Sequence, residues 1–197
     1  FATFRCCALF CIKVKVHGGK IKTLCAILIF YYENDVRPGK HPYHEMGLYY
    51  IQEPSAMLPA SRLPAEPGHT VLDLCAAPGG KTTDLAASLR ERFAENFILV
   101  ANEVMKQRAG ILASNVALWG DPNVVVTSDD PKDFAAFTEY FDIILADVPC
   151  SGEGMFRKDE QAVAEWSMAN VMMCVERQRG ILRDIWHALK PGGLLIY

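Results

Sequence analysis

Short apolar segments alternate with helical patterns from Thr70 to the end of the chain, and this alternation limits the possible folds more than any other feature. The apolar segments suit buried strands and cover residues 71–74, 97–101, 124–127, 143–146 and 194–197. Between them, apolar side chains recur at helical spacing, as in Met105, Ala109, Leu112, Val116 and Trp119. This order predicts a mostly parallel, doubly wound α/β sheet that is incomplete at its C-terminal end.

The part of the chain before Thr70 has a different character. Residues 1–33 are rich in cysteine and lysine and contain a possible hairpin, with strands at 12–16 and 20–24. Residues 34–69 carry scattered proline and glycine and read as an irregular arm laid against the following domain. We therefore divide the chain into an unassigned leader (1–33), an N-terminal arm (34–69) and an α/β domain (70–197).

Charge and cysteine content exclude several classes of protein. Lysine and arginine number 20 against 23 acidic residues, so the chain is not a basic nucleic-acid-binding domain overall. The longest apolar run, residues 24–32, is too short to cross a membrane. Seven cysteines in uneven spacing fit neither a disulfide framework nor a zinc site, so we expect no metal and a reducing, cytoplasmic location.

The segment after the first strand of the α/β domain predicts a ligand loop. Small residues there allow the backbone to approach a ligand, and the next helix presents free N–H groups. The loop residues are Cys75, Ala76, Ala77, Pro78, Gly79, Gly80 and Lys81. Gly80-Lys81-Thr82 also matches the end of a P-loop, with Cys75 in place of its first glycine and Asp147 as a possible Mg²⁺-supporting acid. A P-loop NTPase is therefore an alternative.

Acidic residues after the next two strands indicate which ligand the loop binds. Glu103 is placed to accept hydrogen bonds from both hydroxyls of a ribose. Asp130, or its neighbour Asp129, is placed to meet an adenine amino group. A loop, a ribose acid and an adenine acid describe an adenosyl ligand without a polyphosphate clamp, and S-adenosylmethionine fits best.

The fourth strand is followed by an acid, a proline and a thiol in one tight turn, Asp147, Pro149 and Cys150. A structural cysteine is normally buried in an apolar run, so this thiol is expected to face the site. Addition of a thiolate to carbon 6 of cytosine activates carbon 5 toward a methyl group, and an acid near the ring nitrogen assists. Asp147 and Cys150 are the candidate catalytic residues.

Three long motifs together resemble the Nol/Nop/Sun family of RNA cytosine-5 methyltransferases, and within it the bacterial ribosomal-RNA enzymes of the RsmF/YebU type. The motifs are YYIQEPSAM (49–57), LDLCAAPGGKT (72–82) and DVPCSGEGMFRKD (147–159). The resemblance extends from about Arg37 to Tyr197. It implies a Rossmann-like fold in which Cys75 to Lys81, Glu103, Asp130 and Asp147 surround S-adenosylmethionine, with ribosomal RNA as the substrate.

The resemblance also assigns separate roles to two cysteines. The thiol matched by Cys150 helps to resolve the covalent RNA adduct, whereas the attacking cysteine lies in a Ser-Thr-Cys segment directly after the fifth strand. The sequence ends at Tyr197, where that segment would begin, so we expect ligand binding without turnover. A cofactor-binding module without activity is accordingly a second alternative.

Two further expectations concern basic and aromatic residues. By the resemblance, Lys40, Arg157 and Lys158 could contact RNA phosphates. Trp166 and Trp186 lie in helical patterns and are expected in the core.

Overall fold

The computed structural model describes residues 7–15, 21–31, 37–52, 54–156 and 159–197, and for residues 7–15, 21–31, 54, 55 and 61 it describes the backbone alone. Strands β1 (Cys7–Lys15), β2 (Ile21–Tyr31) and β3 (Tyr49–Gln52) form an antiparallel sheet in the order β2-β1-β3. The predicted hairpin is therefore present with longer strands, and its predicted turn lies outside the described residues. Strand β3 of the arm pairs with strand β1 of the leader.

The α/β domain contains the predicted parallel sheet. Its strands are β4 (Thr70–Asp73), β5 (Ile98–Asn102), β6 (Val124–Thr127), β7 (Phe141–Leu145) and β8 (Leu189–Ile196). They lie in the order β6-β5-β4-β7-β8, and neighbouring strands are parallel. The bounds of β4 to β7 agree with the sequence prediction to within two residues, because each of these strands is a short and mostly apolar run.

The helices follow the predicted alternation. They are α1 (Pro42–Glu45), α2 (Pro54–Ser61), α3 (Gly80–Phe93), α4 (Lys106–Trp119), α5 (Glu160–Glu165) and α6 (Met168–Ile185), with short 3₁₀ turns at Pro38–Lys40, Pro131–Ala136, Glu153–Met155 and Trp186–Ala188. Helix α4 ends at Gly120, whose φ of 73° is the left-handed conformation that glycine adopts most easily. Within the described residues, no helix is both long and apolar enough to span a membrane.

The core lies on both faces of the parallel sheet. Successive strand residues point to opposite faces, so Val71 packs into the cluster beneath α2 and α3, and Leu72 packs into the cluster on the α6 side. Leu112 and Val116 of α4 pack with Ala101 of β5 and with the loop after β4. Burial of these side chains from both directions fixes the strands between two helical layers.

The strand order fixes where a ligand can bind. The connections from β4 through α3, β5 and α4 lead to one edge strand, β6, whereas the connection from β7 through α6 leads to the other, β8. The order therefore reverses between β4 and β7. In such sheets a crevice opens beyond the carboxyl ends of the two strands that flank the reversal.

Three sequence expectations were wrong in detail. The last strand begins at Leu189 rather than Leu194, because the sheet pairing of Phe141 with Leu189 continues through an irregularity that contains Gly192, at φ 78°. Trp166 and Trp186 are 40% and 60% exposed, so neither belongs to the core. Helical spacing correctly placed the two tryptophans in or next to helices, but it does not predict whether other parts of the chain pack against them.

Candidate active site

The segment between β4 and α3 forms a tight loop at the crevice. The Ala76 N–H donates to the Asn102 carbonyl at the end of β5 (2.8 Å), and the Gly79 N–H donates to the Ala76 carbonyl (2.8 Å). Ala76 and Ala77 are buried, whereas Pro78 is exposed. These bonds curl the backbone against the ends of both strands, which gives the predicted loop residues a single compact turn.

Glycine is required at the end of this loop for two different reasons. Gly79 has a φ of +114°, which residues with a side chain rarely adopt. At Gly80, a Cβ atom would lie 2.6 Å from Oε1 of Gln52 in strand β3. The second glycine therefore lets the arm approach the first turn of α3, which connects the motif around residues 49–57 to the candidate site.

An ion pair joins the two loops that flank the crevice. Lys81 Nζ at the start of α3 lies 2.7 Å from Asp147 Oδ2 in the turn after β7. Both residues are candidates predicted from the sequence, and the fold places their side chains next to each other. The Asp147 side chain is 58% exposed, so a ligand can reach it at the mouth of the crevice.

The floor of the crevice carries a buried carboxyl group. Asp73, the last residue of β4, is fully buried and accepts a hydrogen bond from the Thr82 hydroxyl (2.7 Å). Burial raises its pKa to about 6, although the Thr82 bond acts in the opposite direction. Its Oδ1 atom has no hydrogen-bond partner among the described residues. The Thr82 hydroxyl is itself fully buried, so it cannot reach a Mg²⁺ ion as a P-loop threonine does.

The Cys75 thiol is unsuited to act as a nucleophile. It is partly buried at the start of the loop, and burial, with added repulsion from Glu103 and Asp73, raises its pKa to about 12. A thiol with such a pKa stays protonated at neutral pH. Cys150 is exposed in the turn after β7, and Cys174 is buried in α6. Among these three, the geometry leaves Cys150 as the accessible thiol at the crevice.

Glu103 follows β5 directly and is 2% exposed. Its Oε1 atom accepts a hydrogen bond from the Met105 N–H (3.0 Å). Its Oε2 atom lies 3.2 Å from Nη1 of Arg108 but accepts no hydrogen bond from the described residues. A buried carboxylate with an unused acceptor atom is prepared to bind a ligand that donates hydroxyl groups.

Two residues of α4 hold the loop and were not found from the sequence. Arg108 donates to the Ala77 carbonyl (2.7 Å) and also pairs with Glu103, and Asn115 donates to the Pro78 carbonyl (2.7 Å). They are seven residues apart and therefore share one helix face. The sequence shows this spacing, but it does not show that the shared face of α4 packs against the loop.

The two acids after β6 have different surroundings. The Asp130 carboxylate accepts a hydrogen bond from the Lys132 N–H (3.2 Å) and caps the 3₁₀ turn that follows. Asp129 is held by its backbone, which exchanges hydrogen bonds with the Asn102 side chain. Its side chain lines a cavity of about 210 Å³ with Asp133, Phe134 and Phe137.

A separate cavity of about 400 Å³ lies near the opposite edge of the sheet and is lined by Trp186, His187 and Lys190, among others. These residues stand at the amino end of β8, away from the crevice. In open α/β sheets ligands bind beyond the carboxyl ends of the strands, so this cavity is not the candidate active site.

The remaining expectations concern a metal ion and the basic residues proposed to contact RNA. Within the described ranges, no group of three or more His, Cys, Asp or Glu side chains could hold a metal ion. Lys40 is exposed in the arm, and Arg157 and Lys158 lie outside the described residues.

The chain is similar to proteins of known family. A family model described as 16S rRNA methyltransferase RsmB/F matches residues 60–197. The ribosomal RNA small subunit methyltransferase F of Pectobacterium atrosepticum is 46% identical over 169 residues, which cover 84% of this chain and 34% of that protein. The chain thus spans about a third of the length of the curated relatives it matches.

Two solved structures from Pyrococcus horikoshii share the fold. A methyltransferase homolog protein superposes with a TM-score of 0.69 at 31% identity, covering 86% of this chain and 52% of that one. The structure of NSun6 with SFG also gives a TM-score of 0.69, at 25% identity, covering 80% of this chain and 39% of that one. The fold is therefore the Rossmann-like methyltransferase fold predicted from the sequence.

Proposed function

The chain belongs to the 16S rRNA methyltransferase RsmB/F family, and on this premise we propose that it serves S-adenosylmethionine-dependent methylation of carbon 5 of a cytosine in ribosomal RNA. S-adenosylmethionine is the cofactor of this family, and SFG in the NSun6 structure is an analogue of it. One observation carries the proposal: the Lys81–Asp147 ion pair brings the loop after β4 and the Cys150 turn to one crevice. The proposed location is the cytoplasm, where ribosomal RNA is present.

The residues at the crevice fit the cofactor. Glu103 offers the unused Oε2 atom to the ribose hydroxyls, since its burial excludes competing water. The loop from Cys75 to Gly80 offers close backbone approach, and Lys81 and Asp147 stand at its mouth. Asp130 is proposed for the adenine amino group, with Asp129, which lines the neighbouring cavity, as the alternative. Bound S-adenosylmethionine would supply the methyl group.

The chain's own residues supply the remaining chemistry. Asp147 is proposed to be the acidic residue near the ring nitrogen of cytosine while a cysteine thiolate adds to carbon 6. By the family resemblance, that thiolate belongs to a Ser-Thr-Cys segment after the last strand. Cys150 is proposed to help release the RNA from the covalent adduct after the proton leaves carbon 5, when the sulfur–carbon 6 bond breaks. Its exposure at the crevice supports this role.

Calorimetry separates the methyltransferase from a P-loop NTPase. Cys75 replaces the first glycine of the P-loop pattern and Thr82 is fully buried, and both features disfavour Mg²⁺-nucleotide binding. We expect S-adenosylhomocysteine to bind the chain and Mg²⁺-ATP to produce no heat of binding. Binding of ATP alone would overturn the proposed cofactor.

A hybrid protein tests the position of methylation. This chain would replace the matching segment of the Pectobacterium relative, to which it is 46% identical. Modified nucleosides from 16S rRNA would then be identified by mass spectrometry. The proposal predicts 5-methylcytidine, and methylation at any other atom would contradict it. Cys150→Ala in the same hybrid should leave a covalent protein–RNA adduct visible on a denaturing gel.

Asp147→Ala is expected to weaken S-adenosylhomocysteine binding about tenfold and to abolish methylation by the hybrid. The variant removes a carboxylate that is proposed to contact the cofactor, and a hydrogen bond to a charged group contributes about 1.5 kcal/mol; it also leaves Lys81 without its partner. Asp159→Ala, at the exposed cap of α5, is the matched control for loss of a carboxylate. Unchanged binding by Asp147→Ala in calorimetry would place Asp147 outside the cofactor site.

Arg108→Met should reduce the affinity for S-adenosylhomocysteine about tenfold without unfolding the chain. The variant keeps the aliphatic stem but loses the bond to the Ala77 carbonyl and the ion pair with Glu103, so both parts of the site lose support. Lys106→Met, an exposed position on the same helix, is the control. Equal calorimetric affinities for the two variants would show that Arg108 does not organise the site.

A further inference from the structure

The turn that carries Cys150 is attached to α6 on one side. Gln178 Nε2 donates to the Pro149 carbonyl (2.8 Å), one residue before the thiol. The Oε1 atom of the same carboxamide accepts a hydrogen bond from the Tyr197 hydroxyl (2.5 Å), just past the end of β8. A single side chain thus connects the turn after β7 to the end of the neighbouring strand.

The other side of the turn is attached through a carboxylate. Ser151, one residue after the thiol, donates its hydroxyl to the Glu153 carboxylate (2.6 Å). Trp166 Nε1–H donates to Glu153 Oε1 (2.8 Å). These hydrogen bonds from Ser151 and Trp166 lower the pKa of Glu153, which keeps it charged and a strong acceptor at neutral pH.

We propose that Gln178 and Trp166 are positioning residues that hold the Cys150 turn from both sides. The proposal rests on the proposed function, since it concerns the geometry of the thiol assigned to resolving the RNA adduct. Covalent catalysis requires the reacting group to stay within about 0.5 Å of its productive position. Cys150 is exposed and lies between two tethered neighbours, so its position depends on these bonds rather than on burial.

Packing alone does not explain either side chain. Trp166 is 40% exposed and directs its polar edge at Glu153 instead of filling the core. Gln178 lies on α6 between Cys174 and Ile185, which are buried, yet it uses both polar ends of its carboxamide at the surface. Hydrogen bonds that meet around a single exposed turn indicate control of that turn.

The test uses this chain and variants that each remove the polar group of one side chain. Gln178→Leu removes both contacts of the carboxamide, Ser151→Ala removes the hydroxyl, and Trp166→Phe keeps an aromatic ring but loses the N–H. Ser151→Thr, which keeps a hydroxyl, is the conservative variant expected to restore the native behaviour. Gln107→Leu, at an exposed position of α4, is the matched control.

Two measurements report on the turn itself. Amide hydrogen exchange of residues 150–155 should become about fivefold faster in each of the three variants, the change expected when the turn loses one of its hydrogen bonds. The second measurement uses a trifluoroacetonyl label on Cys150, whose ¹⁹F signal is identified because it is absent from Cys150→Ala. In the native chain the Cys150 label should give a single ¹⁹F resonance. In Gln178→Leu and Ser151→Ala this resonance should broaden or split, whereas Ser151→Thr and Gln107→Leu should keep it single.

Native exchange and a single resonance in Gln178→Leu and Ser151→Ala would overturn the proposal. If Trp166→Phe kept the native exchange rates and ¹⁹F resonance while Trp166→Leu changed them, Trp166 would not be a positioning residue of the kind proposed. Its ring, rather than its N–H, would then support the turn. S-adenosylhomocysteine binding is measured in the same samples. If the native chain did not bind S-adenosylhomocysteine, only the proposed function would be contradicted, because hydrogen exchange and the ¹⁹F spectra report on the turn without any ligand.

Discussion

Glu103→Gln is expected to weaken the binding of S-adenosylhomocysteine about 100-fold, as measured by calorimetry. The native carboxylate is 2% exposed and has an acceptor atom, Oε2, without a hydrogen-bond partner among the described residues. Hydrogen bonds to a charged group contribute about 1.5–3 kcal/mol, and two ribose hydroxyls can share this carboxylate. Glutamine keeps the shape but has one neutral acceptor and an NH₂ group that donates toward the hydroxyls.

The control for Glu103→Gln is Glu91→Gln, an exposed position on α3 with the same change of charge. Circular dichroism should show that both variants are folded. Arg108 retains its bond to the Ala77 carbonyl in the variant, so the loop keeps one of its supports. Equal affinity of Glu103→Gln and the native chain would mean that the ribose does not meet this residue, and the cofactor orientation would have to be revised.

The sequence was sufficient for the parallel sheet because its signal is local. Each of β4 to β7 is an apolar run of a length that suits a buried strand, and Gly120 ends α4 as its position indicated. The start of β8 was missed because Pro191 and two glycines are ordinary signals of a helix end and not of a strand. Pairing with β7 overrides that local preference, and Lys190 is fixed by an ion pair with Asp142 (2.8 Å).

The candidate site also contains residues that the sequence predicts and residues that only the structure reveals. The loop residues, Glu103 and Asp147 follow strands, so the topology of an α/β sheet brings them to one edge without further information. The residues that hold the loops in place could not be predicted, because they act through tertiary contacts that no local pattern encodes. Arg108 donates a hydrogen bond to the Ala77 carbonyl, and Gln178 donates one to the Pro149 carbonyl. The same holds for Trp166, whose helical context suggested burial although its N–H is directed at Glu153.

Asp84→Asn is expected to raise the thermal midpoint by about 5 °C at about pH 8, which corresponds to about 2 kcal/mol in a chain of this size. Asp84 lies in α3, is 1% exposed, and its Oδ2 atom has no hydrogen-bond partner among the described residues. Burial raises its pKa to about 7 from the ordinary value of 3.8. Ionisation at neutral pH therefore destabilises the folded chain, and asparagine removes that penalty.

The sign follows from the protons bound in each state. Between about pH 4 and pH 7 the unfolded chain has lost the Asp84 proton while the folded chain retains it, so stability falls as the pH rises. Below about pH 4 both states are protonated, and a neutral carboxyl and an amide are nearly equivalent there. The gain from Asp84→Asn should accordingly be largest above about pH 7 and vanish near pH 4 in calorimetric scans at several pH values.

Asp73 gives this experiment an internal reference. Its pKa is raised to about 6, also by burial, so Asp84→Asn should keep about half of the fall in stability between about pH 4 and pH 6, the half due to Asp73, and should lose the fall between about pH 6 and pH 7. Glu91→Gln, with an exposed carboxylate, should leave the whole profile unchanged. A lower midpoint for Asp84→Asn at about pH 8 would mean that Asp84 is ionised against a cation in the folded chain, and burial would not be the cause of its behaviour.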